Sequence, residues 1–189
     1  MNFKKTLFLS LVLIIGLLFV PNIINATTIS ATETTKTSNG DEVKWSYELS
    51  NDVIINLKCT NNDPNLTGKL EIPYELDGYT VTSIGDFAFL NATSLTTIKI
   101  PNSIKSIGER VFVNCNSLID IIVDDNNLNL SSVDGVLFNK NKTTIICYPQ
   151  GKTSSQYTIP DTVTTIATSA FLERSIRKCE YSKFGYKNR

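Results

Sequence analysis

LTTIKIPNSIKSIGERVFVNCNS, running from Leu95 to Ser117, is the stretch of sequence that decides the fold. Its apolar residues fit neither a long amphipathic helix nor a simple pair of strands. The phrase recurs, because an Ile-Pro pair opens three copies, a central isoleucine follows, and a phenylalanine closes each copy five residues after that isoleucine. The opening pairs are Ile72-Pro73, Ile100-Pro101 and Ile159-Pro160; the central residues are Ile84, Ile107 and Ile166; the closing residues are Phe89, Phe112 and Phe171.

A degenerate copy lies between the second and the last of these. Val133 and Phe138 keep the same offset of five residues, so the closing aromatic residues are separated by 23, 26 and 33 positions. A period in the twenties is typical of a solenoid, whose units bury their apolar faces only by stacking on one another. The sequence therefore predicts a short array of stacked coils.

Three phrases in this region resemble the BspA-like leucine-rich repeat proteins of bacterial cell surfaces. They are the IPxxIxxIGxxxF phrase, the NCNSL junction at Asn114 to Leu118, and GVLFNKNKTTIICYP at Gly135 to Pro149. The resemblance covers roughly Leu70 to Phe171 and is specific for the fold. It implies a non-catalytic, adhesion-type protein that binds a protein or glycan partner at a cell surface, and it does not identify the ligand.

Within each repeat, a short strand precedes the Ile-Pro pair, with Ile98 and Ile100 pointing inward. Pro101 ends the strand because it has no N–H to donate. Gly108 permits a tight turn, and the following GERVFVNC is long enough for one or two helical turns. We therefore predict an α/β solenoid with parallel strands, in which the isoleucine ladder and the phenylalanine column form one continuous core. Residues 69–171 are assigned to these leucine-rich repeats.

The first 26 residues have the pattern of a secretory signal peptide. Lys4 and Lys5 precede an apolar run from Thr6 to Val20, and Ala26 offers a cleavage site, with Ala31 as a second candidate. A membrane anchor is less favoured because the run is shorter than the roughly 20 residues that span a bilayer. We therefore predict a secreted or cell-surface protein with no membrane span after cleavage.

The region between this leader and the repeats has two predicted parts. Residues 27–39, rich in Thr, Ser and Ala, predict a flexible lead-in. Residues 40–68 contain two alternating runs around Ser50-Asn51-Asp52, which predict a β-hairpin. We interpret this hairpin as an N-terminal cap over the open end of the array, in preference to a carbohydrate-binding role for Trp45.

The repeat pattern is interrupted once and then ends. Asn139 to Lys142 lies between two apolar runs and predicts a small inserted hairpin, which accounts for the longer spacings. Residues 172–189 form a basic, irregular tail with no further Ile-Pro pair. Two interpretations of this tail stay open: a truncated or frameshifted end, and a genuine short C-terminal cap.

Composition excludes several classes of function. The chain has no histidine, which removes Ser-His-Asp and Cys-His catalysis and the common zinc sites. The body from Thr27 to Phe171 is acidic, with 10 bases against 16 acids, so nucleic acid is an unsuitable partner. Asp124 and Asp125 are typical of a solvated turn and lack the spacing of a calcium loop. We predict no enzyme activity, no cofactor and no metal.

The four cysteines are Cys59, Cys115, Cys147 and Cys179, and they have no CxxC spacing. Cys115 occupies the place that Ala92 has in the first copy, which favours a small buried residue over a disulfide partner. A bridge between Cys115 and Cys147 in adjacent coils stays open as the alternative.

The outward positions of the predicted strands form the candidate partner-binding face, since extended solenoid surfaces often bind partners. They are Lys69, Glu71, Thr97, Lys99, Asp120, Ile122, Gln156 and Thr158. The alternative for these residues is an ordinary solvated sheet. Two other functional interpretations stay open: the repeat portion of a longer secreted hydrolase, and a non-functional truncated fragment.

Overall fold

The computed structural model of the chain describes residues 28–61, 66–154, 156–171 and 178–181. The signal peptide predicted for residues 1–26 lies outside these ranges. The first strands are β1 (Thr28–Ser30), β2 (Thr35–Lys36), β3 (Glu42–Val43), β4 (Trp45–Ser50), β5 (Val53–Cys59), β6 (Gly68–Glu71), β7 (Glu75–Leu76), β8 (Tyr79–Val81) and β9 (Ser83–Ile84). The later strands are β10 (Leu95–Ile100), β11 (Ser106–Ile107), β12 (Asp120–Val123), β13 (Leu130–Val133), β14 (Val136–Asn139), β15 (Thr144–Cys147), β16 (Gln156–Ile159), β17 (Thr165–Ile166) and β18 (Lys178–Tyr181).

Two series of parallel strands build the solenoid. In the first, β10 lies between β6 and β12, and the register aligns Leu70, Ile98 and Ile121, all fully buried. In the second, the short strands follow one another from coil to coil, with Leu57 opposite Ile84, Ile84 opposite Ile107, and Ile145 opposite Ile166. These five positions mark five coils, so the predicted solenoid with parallel strands is confirmed.

The helical part of the predicted α/β class is wrong, because no helix is present in the described ranges. Residues 108–115 form consecutive turns instead, and Arg110 and Asn114 have positive φ values of 52° and 60°. Carbonyls of these turns accept hydrogen bonds from the preceding coil; for example, Phe89 N–H donates to Val111 O at 2.9 Å. Backbone groups satisfied between coils need no i to i−4 bonds, and so short a segment gains little from nucleating a helix.

The predicted hairpin around Asn51 and Asp52 is present, since β4 and β5 pair antiparallel there. Both turn residues have positive φ, 50° and 58°, a geometry that suits a two-residue hairpin loop. However, β5 also pairs in parallel with β8 and β9, so it serves as the first rung of the array. The structure does not confirm a separate cap. On the outer side of β4, β1 adds a further antiparallel strand where the sequence predicted a lead-in.

An inserted antiparallel unit interrupts the array after the third coil. As predicted, β14 and β15 pair across Asn139 to Lys142, and β13 extends them to three strands. In this unit β14 pairs with the edge of β15 that would otherwise have paired with β11 of the second series. The parallel series therefore breaks between the third and fourth coils and resumes with β15 and β17.

The predicted continuous core is also divided at this break. Phe89 packs edge-on against Trp45 and stacks on Phe112, with ring centroids 6.0 and 5.6 Å apart. Phe138, in contrast, belongs to a second buried cluster with Ile145, Tyr148, Ile159 and others of the last two coils. The aromatic column therefore ends at Phe112, and a separate aromatic group begins beyond it.

Cys59, Cys115 and Cys147 are free thiols, so the alternative Cys115–Cys147 bridge is not formed. Burial raises the pKa of the Cys115 thiol to about 12, although a backbone hydrogen bond from Ala92 lowers it. Burial, followed by the proximity of Cys115, raises the pKa of Cys147 to about 12. Both thiols are therefore protonated at neutral pH and poor nucleophiles.

The C-terminal region is described only for its backbone at residues 178–181. There β18 pairs in parallel with β16, in the segment for which the sequence predicted an irregular tail. The two interpretations of that tail both concern residues that lie largely outside the described ranges. Within those ranges, no helix has the length and apolar character to cross a membrane.

Candidate functional site

Strand register arranges six of the eight predicted site residues in two rows across one sheet. The first row holds Lys69, Thr97 and Asp120, because Thr97 lies opposite both of the others. The second row follows two residues later on each strand and holds Glu71, Lys99 and Ile122. The alternation of strand side chains points both rows away from the core. We call this surface of β6, β10 and β12 the strand face.

The β6 side of the strand face is an ion-pair cluster centred on Glu71. Its carboxylate lies 2.8 Å from Lys69 Nζ and 3.8 Å from Lys99 Nζ. The hydrogen bond from Lys69 is the main cause that lowers the pKa of Glu71; burial opposes it, and the charges of both lysines add to the lowering. All three side chains are well exposed, so the cluster contributes little to stability. It does fix the charges in a defined pattern.

The β12 side of the strand face carries Asp120 in the first row and Ile122 in the second. Ile122 is 36% exposed on the strand, and Ile119, just before it, is 48% exposed. The strand face therefore combines paired charges at β6 with a carboxylate and an exposed isoleucine at β12. Exposed aliphatic side chains bordered by polar groups are typical of binding surfaces.

Gln156 and Thr158 are not brought into this sheet. They are exposed on β16, which pairs with β18 in a separate two-stranded sheet. The inserted unit covers the outer edge of β12 instead, where Ile121 N–H donates to Gly135 O and Val123 N–H donates to Ser132 Oγ. The sequence could not predict that these two residues lie outside the sheet. The insertion leaves the repeat pattern of β16 unchanged but takes the position next to β12.

The insertion also creates a groove beside the strand face, which the sequence did not predict. This groove has a volume of about 460 Å³, and Ile122 of the strand face is part of its lining. Its lining also carries Asp124 and Asp125 together with Lys140 and Lys142. Lys140 is held near the acidic turn by a 3.2 Å hydrogen bond from its Nζ to Asp125 O. The groove therefore presents both signs of charge next to an apolar side chain.

Asn127 joins the wall of this groove to the third coil. It is fully buried, and its Nδ2 donates to Pro101 O and Ile104 O at 2.9 Å each. Its Oδ1 accepts from the backbone N–H groups of Asn129 and Leu130. The sequence showed only a polar run, DDNNLN, and gave no sign that one of its asparagines is a structural residue.

Carboxylates and thiols do not converge into a metal site in the described part of the chain, where no group of three or more such ligands is found. Asp124 and Asp125 lie at the groove wall, and the Asp124 carboxylate accepts a hydrogen bond from Asn126 N–H within its own turn. This geometry is that of a polar turn beside the groove.

The repeat pattern and the coils together fit one family of sequences. The model of the BspA type leucine-rich repeat region matches residues 54–183 in six copies. The chain belongs to this family. The matched range begins in β5 and ends beyond β18, so it is wider than the 69–171 assigned from the repeated phrase. No curated protein matches the chain significantly.

Several solved structures are similar to the chain. A leucine-rich repeat protein from Eubacterium ventriosum ATCC 27560 is 19% identical, with a TM-score of 0.46 over 81% of this chain and 62% of that one. A leucine-rich repeat protein from Bacteroides ovatus ATCC 8483 is 22% identical, with a TM-score of 0.43 over 74% and 40%. A leucine rich cell surface protein from Faecalibacterium prausnitzii A2-165 is 22% identical, with a TM-score of 0.41 over 62% and 42%. The chain thus spans less than two thirds of each of these structures.

Proposed function

We propose that this protein is an exported, non-catalytic binding protein that recognises a partner protein through the strand face and the adjoining groove. The observation that carries the proposal is the pair of side-chain rows on β6, β10 and β12, the second of which ends in exposed Ile122 at the groove. A rigid sheet holds these groups in place before the partner arrives, which reduces the entropy cost of binding. Family membership and the signal-peptide pattern favour action at the cell surface or in the medium.

A protein partner suits this surface better than a glycan does. The face combines aliphatic side chains with lysines and carboxylates, the mixture found at the core and rim of protein interfaces. In the described ranges the strand face carries no exposed aromatic ring on which a sugar could stack. Gln156 and Thr158 would contribute only to a partner large enough to reach β16.

The N-terminal strands support this role by covering the first coil. The side chains of Trp45 and Tyr47 on β4 are buried against the core, and β1 lies along the outer edge of β4. We propose that β1 to β4 act together as the cap, in place of the hairpin alone. Trp45 is then a core residue and not a ligand contact.

The test is a binding screen of the mature chain, from Thr27 onward, against immobilised extracellular-matrix proteins and a glycan array. Ile122→Asp should abolish binding to any captured protein, because it places a charge at the apolar end of the face. Ile166→Asp is the matched control, since Ile166 is equally exposed, at 38% against 36%, and lies on β17 away from the face. Equal loss in both variants, or binding to glycans alone, would contradict the proposal.

A further inference from the structure

A cleft opens on another side of the solenoid, where the aromatic column ends. It lies between the turns of the third coil, from Ile107 to Val113, and those of the last two coils, which include Tyr148 and Ser169. Its volume is about 330 Å³, within the range of ligand pockets. The buried rings of Phe112 and Tyr148 contribute to its lining. We call this space the turn cleft.

Backbone hydrogen bonds join the turns of neighbouring coils on both sides of the turn cleft. Between the second and third coils, the N–H groups of Phe87, Phe89 and Asn91 donate to carbonyls of residues 109, 111 and 113. Between the last two coils, Tyr148 N–H donates to Ala170 O. Between the third and fourth coils, Gly151 N–H donates to Leu118 O beyond the cleft, but within the described residues no bond equivalent to those of Phe87, Phe89 and Asn91 is formed.

The third coil therefore presents a row of backbone donors at the turn cleft. Arg110, Phe112 and Asn114 stand 23 residues after the three donors of the second coil, so their N–H groups are the equivalents that would meet the next coil. None of the three N–H groups has a hydrogen-bond partner among the described residues. Unmet backbone donors beside an apolar pocket favour any ligand that supplies acceptors at the same spacing.

The side chain at the end of the row points to the same kind of ligand. Asn114 Nδ2 donates to Asn91 Oδ1 at 2.8 Å, which forms one step of an asparagine ladder along the turns. Asn114 Oδ1 is the acceptor that would continue this ladder, and it has no partner in the described ranges. A ligand with a side-chain N–H or O–H at that position would complete the step.

We propose that the turn cleft binds a short peptide segment of a partner protein, which takes the place of the missing rung. The row of N–H dipoles is complementary to carbonyl oxygens on every second residue of a polypeptide, a pattern that sugars and lipids do not have. The apolar rings accept one of its side chains. The site is separate from the strand face and needs none of its residues.

Amide hydrogen exchange, followed by NMR on the mature chain, locates the donors and their occupant. In the free protein, exchange at Arg110, Phe112 and Asn114 should be faster by about ten-fold or more than at Phe87, Phe89 and Asn91, their paired counterparts. Equal protection in both sets would show that the cleft is closed in solution and would overturn the proposal. Protection that rises with protein concentration alone would identify a second copy as the occupant, which would also overturn it.

The ligand probe is a library of random heptapeptides displayed on phage, selected on the wild-type chain. Ser169→Trp and Thr168→Trp each fill the cleft from its rim and serve for counter-selection. Thr164→Trp is the control, because Thr164 is exposed on the same coil and does not line the cleft. The selected peptides should slow exchange at the three open amides and carry Asn, Ser or Thr at one end. Failure to enrich peptides over the filled variants, or protection elsewhere, would refute the peptide site.

Discussion

Phe89 and Phe112 occupy equivalent positions in successive coils, yet they differ in how they are packed. Phe89 is fully buried between Trp45 and Phe112, whereas Phe112 has an aromatic neighbour on one side and the turn cleft on the other. Phe89→Ala should therefore cost about 3–5 kcal/mol of unfolding free energy. Phe112→Ala should cost about 1 kcal/mol less, because part of its surface already faces open space. Urea denaturation of both variants measures the difference, and equal costs would show that the cleft is closed in solution.

Asn127 stabilises the start of the insertion through four side-chain hydrogen bonds to the backbone. Replacing it with Ala leaves the buried Ile104 carbonyl and the N–H groups of Asn129 and Leu130 without this partner, so we expect a loss of about 3 kcal/mol in unfolding free energy. Asn126→Ala is the control, since Asn126 is exposed and its recorded bond uses only its backbone N–H. Urea midpoints measure both changes. Similar midpoints for the two variants would contradict this role of Asn127.

Among the secondary-structure elements, several N-terminal segments are joined by the carboxylate of Asp77. Asp77 accepts hydrogen bonds from Tyr47 Oη at 2.9 Å and from the hydroxyl and backbone N–H of Thr32, so it ties the region after β1 and the strand β4 to the turn between β7 and β8. Burial raises the pKa of Asp77, but the bonds from Thr32, Tyr47 and Glu33 outweigh it, and the net pKa is lowered. The same contact, with burial as the larger cause, raises the pKa of Tyr47.

This tie should make stability sensitive to acid. A carboxyl with a lowered folded-state pKa contributes stability that is present above its unfolded pKa of about 3.9 and is lost as the pH falls through the folded value. Denaturant unfolding between about pH 2 and pH 6 should therefore show a decline below about pH 4 that is shallower in Asp77→Asn. Asp52→Asn, in the exposed hairpin turn, should follow the wild-type curve. Parallel curves for wild type and Asp77→Asn would rule out this contribution.

The elements also show what the sequence could predict and what it could not. Strands before Ile-Pro pairs and both hairpins follow from local patterns, since alternation and turn residues specify them within about ten positions. The turns after Gly108 do not, because the carbonyls of residues 109, 111 and 113 accept hydrogen bonds from the neighbouring coil, which the local sequence does not reveal. The same limit applies to the candidate site. The rows through Thr97 and Lys99 follow from the repeat, whereas the groove and the displacement of Gln156 depend on how the insertion packs.

For the whole molecule, the break after the third coil separates two blocks of unequal size. The first cluster of buried residues includes Trp45, Phe89 and Ile98, and it is much larger than the second, which is centred on Phe138 and Ile145. In a solenoid each coil is stabilised by its neighbours, so a missing set of bonds between two coils weakens the coupling across that interface. The stability of the smaller block therefore depends more on the larger block than the stability of the larger block depends on the smaller one.

Native-state hydrogen exchange should reveal this asymmetry. We expect the amides of β15 and β17 to exchange through an opening that costs less free energy than global unfolding, while those of β9 and β10 exchange only when the whole chain unfolds. Peptide-resolved mass spectrometry at increasing denaturant measures both classes. Phe89→Ala should lower the opening energy of the larger block and leave the local opening of the smaller block unchanged. A single opening energy throughout the chain would mean that the five coils unfold as one cooperative unit. The antiparallel insertion would then couple the two blocks as strongly as a pair of parallel strands couples neighbouring coils.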